Sequence, residues 1–271
     1  MKTRKNLPHF SSDYSKFLIQ LPLSWQEVDR KNFVSLCRIL AHQDITDSSA
    51  PLFFLAVTGL TPISAMGNYS IFETRDKKIV QLDNSQLAVA VEKLAWIDKP
   101  NDSLYKNHEI TQYMAHLGCT DILKWPFAKF LAVDALFSAS LGTSDHAVKS
   151  QSKFALEMLR DENSKLKISK SILLRLYSPQ RIALFLYFSA FKDFIAKRFT
   201  HLFAPQNDSA IALPSDSSVA DSINAQIRAL TKGDVTAEEK VLAIQTGRAL
   251  TELNELAREY KEFKQMEQKH K

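Results

Sequence analysis

SPQRIALFLYFSAFKDFIAKRFTHLF, residues 178–203, is the stretch whose pattern decides the fold. Ser178 suits an N-cap, because its hydroxyl can accept an orphan backbone N–H at a helix start. Pro179 suits the first helical position, where a missing N–H costs nothing. Residues 182–188 are apolar almost all round, which predicts a helix touching neighbours on several sides. Further on, Phe191, Phe194, Ile195, Phe199 and Leu202 fall on one stripe, opposite Lys192, Asp193, Lys197 and Arg198. A core helix follows, and with it a body of other helices that surrounds it.

The bulk of the chain agrees. Its 271 residues suffice for one large core or two smaller ones. With 45% hydrophobic and 24% charged residues the composition is that of an ordinary globular protein. Of only six glycines, Gly59, Gly118, Gly142 and Gly233 each follow a helix-like run, where helices stop. The fold expected is therefore α+β and mainly α-helical, with one small β-hairpin or sheet near the N-terminus and a long C-terminal helix.

In chain order, KFLIQL (16–21) reads as a short strand ended by Pro22. Ser24 and Glu27 have capping-box spacing, and behind them Phe33, Leu36, Cys37 and Leu40 recur as the buried face of a helix. A second helix is expected over 49–58. The clearest β signal is a hairpin of about 69–82, with strands 69–73 and 78–82. A lone hairpin is marginal, so it requires a further strand, a helix or another chain against it. Asp83 caps a helix to about Ile97, with Leu87, Val91, Leu94 and Ala95 on its buried side. DKPNDS (98–103) reads as a break. Helices follow near 109–117, from Trp125-Pro126 with Phe130, Val133, Phe137 and Leu141 inward, and from Ser144 to about Leu159.

Residues 204–222 (APQNDSAIALPSDSSVADS) hold two prolines, five serines and three aspartates, with few large side chains to bury. They read as a flexible linker between a helical body, 1–203, and a C-terminal helical segment, 223–271. In that segment Thr236 to Glu239 forms a second capping box. Leu242, Ala249, Leu256 and Phe263 then recur at sevens, interleaved with Leu253 and Tyr260. These six residues are expected to form a partner-docking seam.

Residues with catalytic or ligating character are scattered. Neither GxGxxG nor GxxxxGK[ST] occurs, nor do HExxH, GxSxG or an EF-hand loop. Cys37 and Cys119 stand alone, His108 and His116 are eight apart, and Ser144-Asp145-His146 are consecutive, which no triad geometry permits. Asp134 lies in an apolar helix and reads as a carboxylate turned to solvent or to a hydroxyl. No cofactor, metal or catalytic residue is expected, and no 18-residue apolar run suggests a membrane span. The net charge of +5 is local: residues 149–201 hold eleven Lys and Arg against four acids. Such a region can meet polyanions, with Lys165, Lys167 and Lys170 as the candidate contacts, although a solvated helix face looks the same.

Four segments resemble uncharacterised proteins encoded among the tail genes of tailed bacteriophages and prophages. They are LPLSWQEVDRKNFVSLCRILA (21–41), IFETRDKKIVQLDNSQLAVAVEKLAWI (71–97), SPQRIALFLYFSAFKDFIAKRF (178–199) and INAQIRALTKGDVTAEEKVLAIQTGRALTELNELAREY (223–260). The resemblance implies a non-enzymatic, chaperone-like role in tail assembly or a virion-associated one. The partners would then be other phage structural or assembly proteins, or further copies of the chain. The place of action would be the host cytoplasm during assembly, and the virion. It supplies no site residues. The alternative expectation is a nucleic-acid-binding protein using 149–201, and an enzyme of unfamiliar type ranks behind both.

Overall fold

A helix that is apolar on most of its circumference has to be enclosed, and in the computed structural model Ser178–Arg198 is. The structure describes residues 20–41, 49–141, 145–160, 178–203 and 216–269, with the backbone alone described at 145–149, 216–220 and 269. Among these residues the chain is a mainly helical α+β fold with eleven α-helices and one three-stranded antiparallel sheet. The helices are α1 Arg30–Leu40, α2 Ala50–Thr58, α3 Asn84–Glu92, α4 Asp102–Lys106, α5 His108–His116 and α6 Phe127–Ala139. Then come α7 Asp145–Leu159, α8 Ser178–Arg198, α9 Asp216–Thr231, α10 Glu238–Ala243 and α11 Thr246–Lys269. The strands are β1 Thr61–Met66, β2 Tyr69–Glu73 and β3 Ile79–Asp83.

Helix α8 packs against α1, α4 and α7, and aromatic rings of α6 close the remaining side. Phe188 is fully buried among Phe130, Phe137, Phe154 and Phe191, with ring centroids 5.1 to 6.4 Å apart. Tyr105 of α4 lies on Tyr187, Phe191 and Phe194. Of the expected stripe, Phe191, Ile195 and Phe199 are buried, and Phe194 and Leu202 are half-buried against the same core. Burying a large apolar side chain is worth about 1.5–3 kcal/mol, so this cluster dominates the fold. Ser178 is the first residue of α8, and its hydroxyl accepts a hydrogen bond from Arg181.

Several local expectations shift. The start at Ser24 is a single 3-10 turn, Trp25–Glu27, in which Glu27 accepts the N–H of Leu23 rather than that of Ser24. Asp29 caps α1 instead, accepting from Asn32 at 2.7 Å. The partner that the hairpin requires is β1, which the sequence hides because Thr61–Met66 shows no alternation and is exposed throughout. Of KFLIQL, residues 16–19 lie outside the described residues, and Gln20 and Leu21 are in no strand. Helix α3 stops at Glu92, and the following 3-10 turn buries Leu94 and Ile97 while Ala95 is exposed. Leu141, expected inward, is half exposed. Gly142 and Ser144 lie outside the described residues, as do 204–215 of the expected linker; the remainder, 216–222, belongs to α9.

DKPNDS, read as a break, is a fastening. The carbonyl of Lys99 accepts the Trp25 indole N–H, and Asn101 caps α4. One buried side chain, Asn107, ties the N-terminal turn to this region. Its amide donates to the carbonyls of Trp25 at 2.8 Å and Val28 at 2.9 Å, while its oxygen accepts the first N–H groups of α5. Removing it strips two buried carbonyls and a helix cap together. Asn107→Ala is therefore expected to cost about 3 kcal/mol in urea unfolding; a loss below 1 kcal/mol would show the fastening to be redundant.

Asp102, at the start of α4, receives Lys106 and Lys197. These hydrogen bonds, the one from Lys106 foremost, hold its carboxyl down from the ordinary 3.8 to about 2. Because the folded value is depressed, the stabilisation is complete above the ordinary range and fades as pH falls toward 2. Both lysines are more than half exposed, so solvent screening limits the effect to about 1 kcal/mol. The gap in stability between the native chain and Asp102→Asn should be constant from pH 7 to 5 and close between pH 4 and 2, as followed by acid titration of the unfolding midpoint.

Candidate functional site

The C-terminal helix is built in two halves with different surroundings. After α10 the chain is extended at Ile244, and a short antiparallel bridge joins Gln245 to Pro126. Phe127 donates its N–H to the Ile244 carbonyl, and Thr246 donates both its N–H and its hydroxyl to the Trp125 carbonyl, all at 2.8 to 2.9 Å. The next residue, Gly247, passes so close to the 3-10 turn Ile122–Lys124 that an added Cβ would stand 3.3 Å from the Leu123 carbonyl oxygen. Asn254 then accepts the backbone N–H groups of His201 and Leu202, holding the end of α8.

These contacts divide the expected docking seam. Ala249 and Leu253, with Leu250, are buried in the core that α8 organises, so they are not free to meet another molecule. Leu242 is half-buried against the same core, and Leu256 is half-buried as well. Tyr260 and Phe263 are each 61% exposed, and Met266, which the heptad reading did not include, is 56% exposed. The helix face that buries Ala249 and Leu253 is the one that carries Tyr260 and Phe263, since these positions repeat at three- and four-residue spacing. The body covers the first half of α11 and leaves the second half bare.

Where the covered turns give way to the bare ones lies an open groove of about 490 Å³, which Leu250 and Leu253 line as well. Leu256, Ala257 and Tyr260 form one wall, and Ala225 and Ala229 of α9 form the other. Leu202 and Phe203 line it too, and in it Lys192 pairs with Asp134 at 2.7 Å. That pair places Asp134 against a lysine, where solvent or a hydroxyl was expected. The small side chains of α9 leave the groove open; nothing in the local pattern of 223–230 announces this, because the groove exists only once α9 and α11 lie side by side.

Of the eleven cations of the basic region, Arg160, Arg181, Lys192, Lys197 and Arg198 are engaged within the chain. Lys165, Lys167 and Lys170 lie outside the described residues. Arg160 pairs with Glu157, Lys192 with Asp134, and Lys197 with Asp102 and Asp193. Arg181 donates to Ser152 and Ser178, and Arg198 lies over the rings of Phe194 and Phe199.

Reactive groups are placed in packing environments. Burial pushes the Cys119 thiol up to about 12 and the Cys37 thiol higher still, so both stay protonated and unreactive at neutral pH. His108 contacts Gln112 on the surface and His116 is exposed. Ser144 lies outside the described residues, and Asp145 and His146 are in α7. Among the described residues no three metal-ligating side chains come together, and no helix is long and apolar enough to cross a membrane. No protein-family model matches the chain, and no curated protein or solved structure is significantly similar to it.

The division of α11 has a direct test. Leu253→Ala removes buried methyl groups from the core and should lower the stability of the whole protein by about 3 kcal/mol. Phe263→Ala touches a bare position and should stay within about 0.5 kcal/mol of the native chain. Equal effects of the two substitutions in thermal or urea unfolding would contradict the division.

Proposed function

We propose that this chain is a non-enzymatic protein of tailed bacteriophages that works through protein–protein contacts, as a chaperone-like factor in tail assembly or as a virion-associated component. The observation that carries the contact role is the bare half of α11: a rigidly rooted helix presents Tyr260, Phe263 and Met266 beside an open groove. Exposed apolar strips of this kind mark interaction surfaces, and an amphipathic helix is a common docking element. The phage context rests on the resemblance of segments 21–41, 71–97, 178–199 and 223–260 to tail-region proteins. The chain would act in the host cytoplasm during assembly, and in the particle where it is retained.

The nucleic-acid reading is less well supported. Several cations of 149–201 already serve acids, hydroxyls or rings of the same chain, and a partnered cation releases fewer counterions on meeting a phosphate. Coexpression with phage tail proteins separates the two. The expected result is coelution with one of them, lost in a Tyr260→Asp, Phe263→Asp double variant and kept when Lys165, Lys167 and Lys170 are reversed to Glu. Tight, salt-sensitive binding of DNA or RNA that the triple reversal abolishes would instead establish the nucleic-acid reading.

A further inference from the structure

Resting on the reading of the bare half of α11 as a protein-contact surface, we propose that a second copy of this chain occupies it, the two helices running antiparallel and meeting at Tyr260 and Phe263. The first argument is steric. The face that carries Tyr260 and Phe263 is covered by the chain's own body about two to four turns earlier, at Leu253 and Ala249. Two such helices side by side in parallel would bring both bodies into the same space between them. Antiparallel, each body lies beyond the end of the other helix, and the bare turns are the part left to touch.

The second argument is the polarity of charge along the helix. Residues 252–259 carry Glu252, Glu255 and Glu259 against Arg258; residues 260–269 carry Lys261, Lys264 and Lys269 against Glu262 and Glu267. The antiparallel arrangement sets the acidic stretch of one copy beside the basic stretch of the other, and the parallel one sets like beside like. A strongly acidic or strongly basic foreign partner would be repelled by half of the strip. With Tyr260 level with Phe263 of the second copy, and the reverse, four exposed rings are covered at once. The tip of each helix then reaches the groove beside Leu256 and Ala257 of the other, where Met266 finds apolar surface.

Three turns of helix on each side place this interface near ~1,000 Å² in total, at the small end of specific interfaces. The dimer should therefore be reversible and form in the micromolar range. Sedimentation equilibrium of the full chain from ~1 to ~100 µM should show a monomer–dimer transition. Phe263→Asp should weaken it at least tenfold without changing the thermal midpoint. Orientation is read by mixing two single-cysteine variants, Glu255→Cys and Gln268→Cys, and bridging them with a short bis-maleimide; Cys37 and Cys119 are buried and do not compete. The antiparallel arrangement requires that 255–268 bridges between different copies dominate. A chain that stays monomeric at ~100 µM, a dimer indifferent to Phe263→Asp, or a preference for 268–268 bridges would each overturn the proposal. A monomer that still coelutes with a tail protein would sink this inference and leave the proposed function standing; a dimer with no tail partner would do the reverse.

Discussion

The fold depends on the enclosure of Phe188 and Phe191 in the middle of α8. Both are fully buried, and the rings around them come from α4, α6, α7 and α8 itself. The apolar faces of α1, α6 and α7 are consequences of this: each buries what α8 offers. Offset and edge-on ring geometries throughout the cluster give it direction as well as area. The polar groups within this core are handled locally, as where Asn107 serves two carbonyls and two N–H groups with a single side chain.

The C-terminal helix joins this core through backbone hydrogen bonds first and side chains second. The bridge between residues 125–127 and 244–246 uses main-chain groups that would otherwise be left unpaired next to buried Thr246. It fixes where α11 begins and in which direction it leaves. From there Ala249, Leu250 and Leu253 fall into the core without freedom to choose another partner. The helix continues well past Leu253, its last buried residue, so its remaining turns are exposed. A docking element held in this manner loses little conformational entropy on binding, because its orientation is set in advance.

The boundary between covered and bare turns of α11 falls near Ala257. Before it, an apolar side chain is packed into the core; after it, a residue of the same kind and spacing is exposed, and the proposed contact role rests on those exposed residues. The groove along α9 extends the bare surface sideways, and the ion pair of Asp134 and Lys192 lies in it without an unmatched charge. Of the basic residues of α8, Lys192 pairs with Asp134 of α6 and Lys197 with Asp102 of α4, so both fasten neighbouring helices to the core.

The sequence by itself determined the class of fold and the place of its centre. A segment of a helix that is apolar almost all round needs neighbours on several sides, so 182–188 had to be enclosed, and glycine at 59, 118 and 233 marks stops because each takes a left-handed backbone. Likewise β2 and β3 announce themselves by β-branched and aromatic residues, Tyr69, Ile71 and Phe72 then Ile79 and Val80, on either side of a turn-like TRDK. What tertiary structure alone decided is which residues of a repeating pattern are used up inside the chain. Ala249, Leu253, Leu256, Tyr260 and Phe263 are equivalent in spacing, and no local property separates them. The split arises because residues 244–246 pair with 125–127, a contact across more than a hundred residues that leaves no periodic trace. In the same way β1 is a strand because β2 needs a neighbour, although TPISAM shows neither alternation nor a buried side chain. Periodicity reports that a side chain will be buried; only the arrangement of distant segments determines by what.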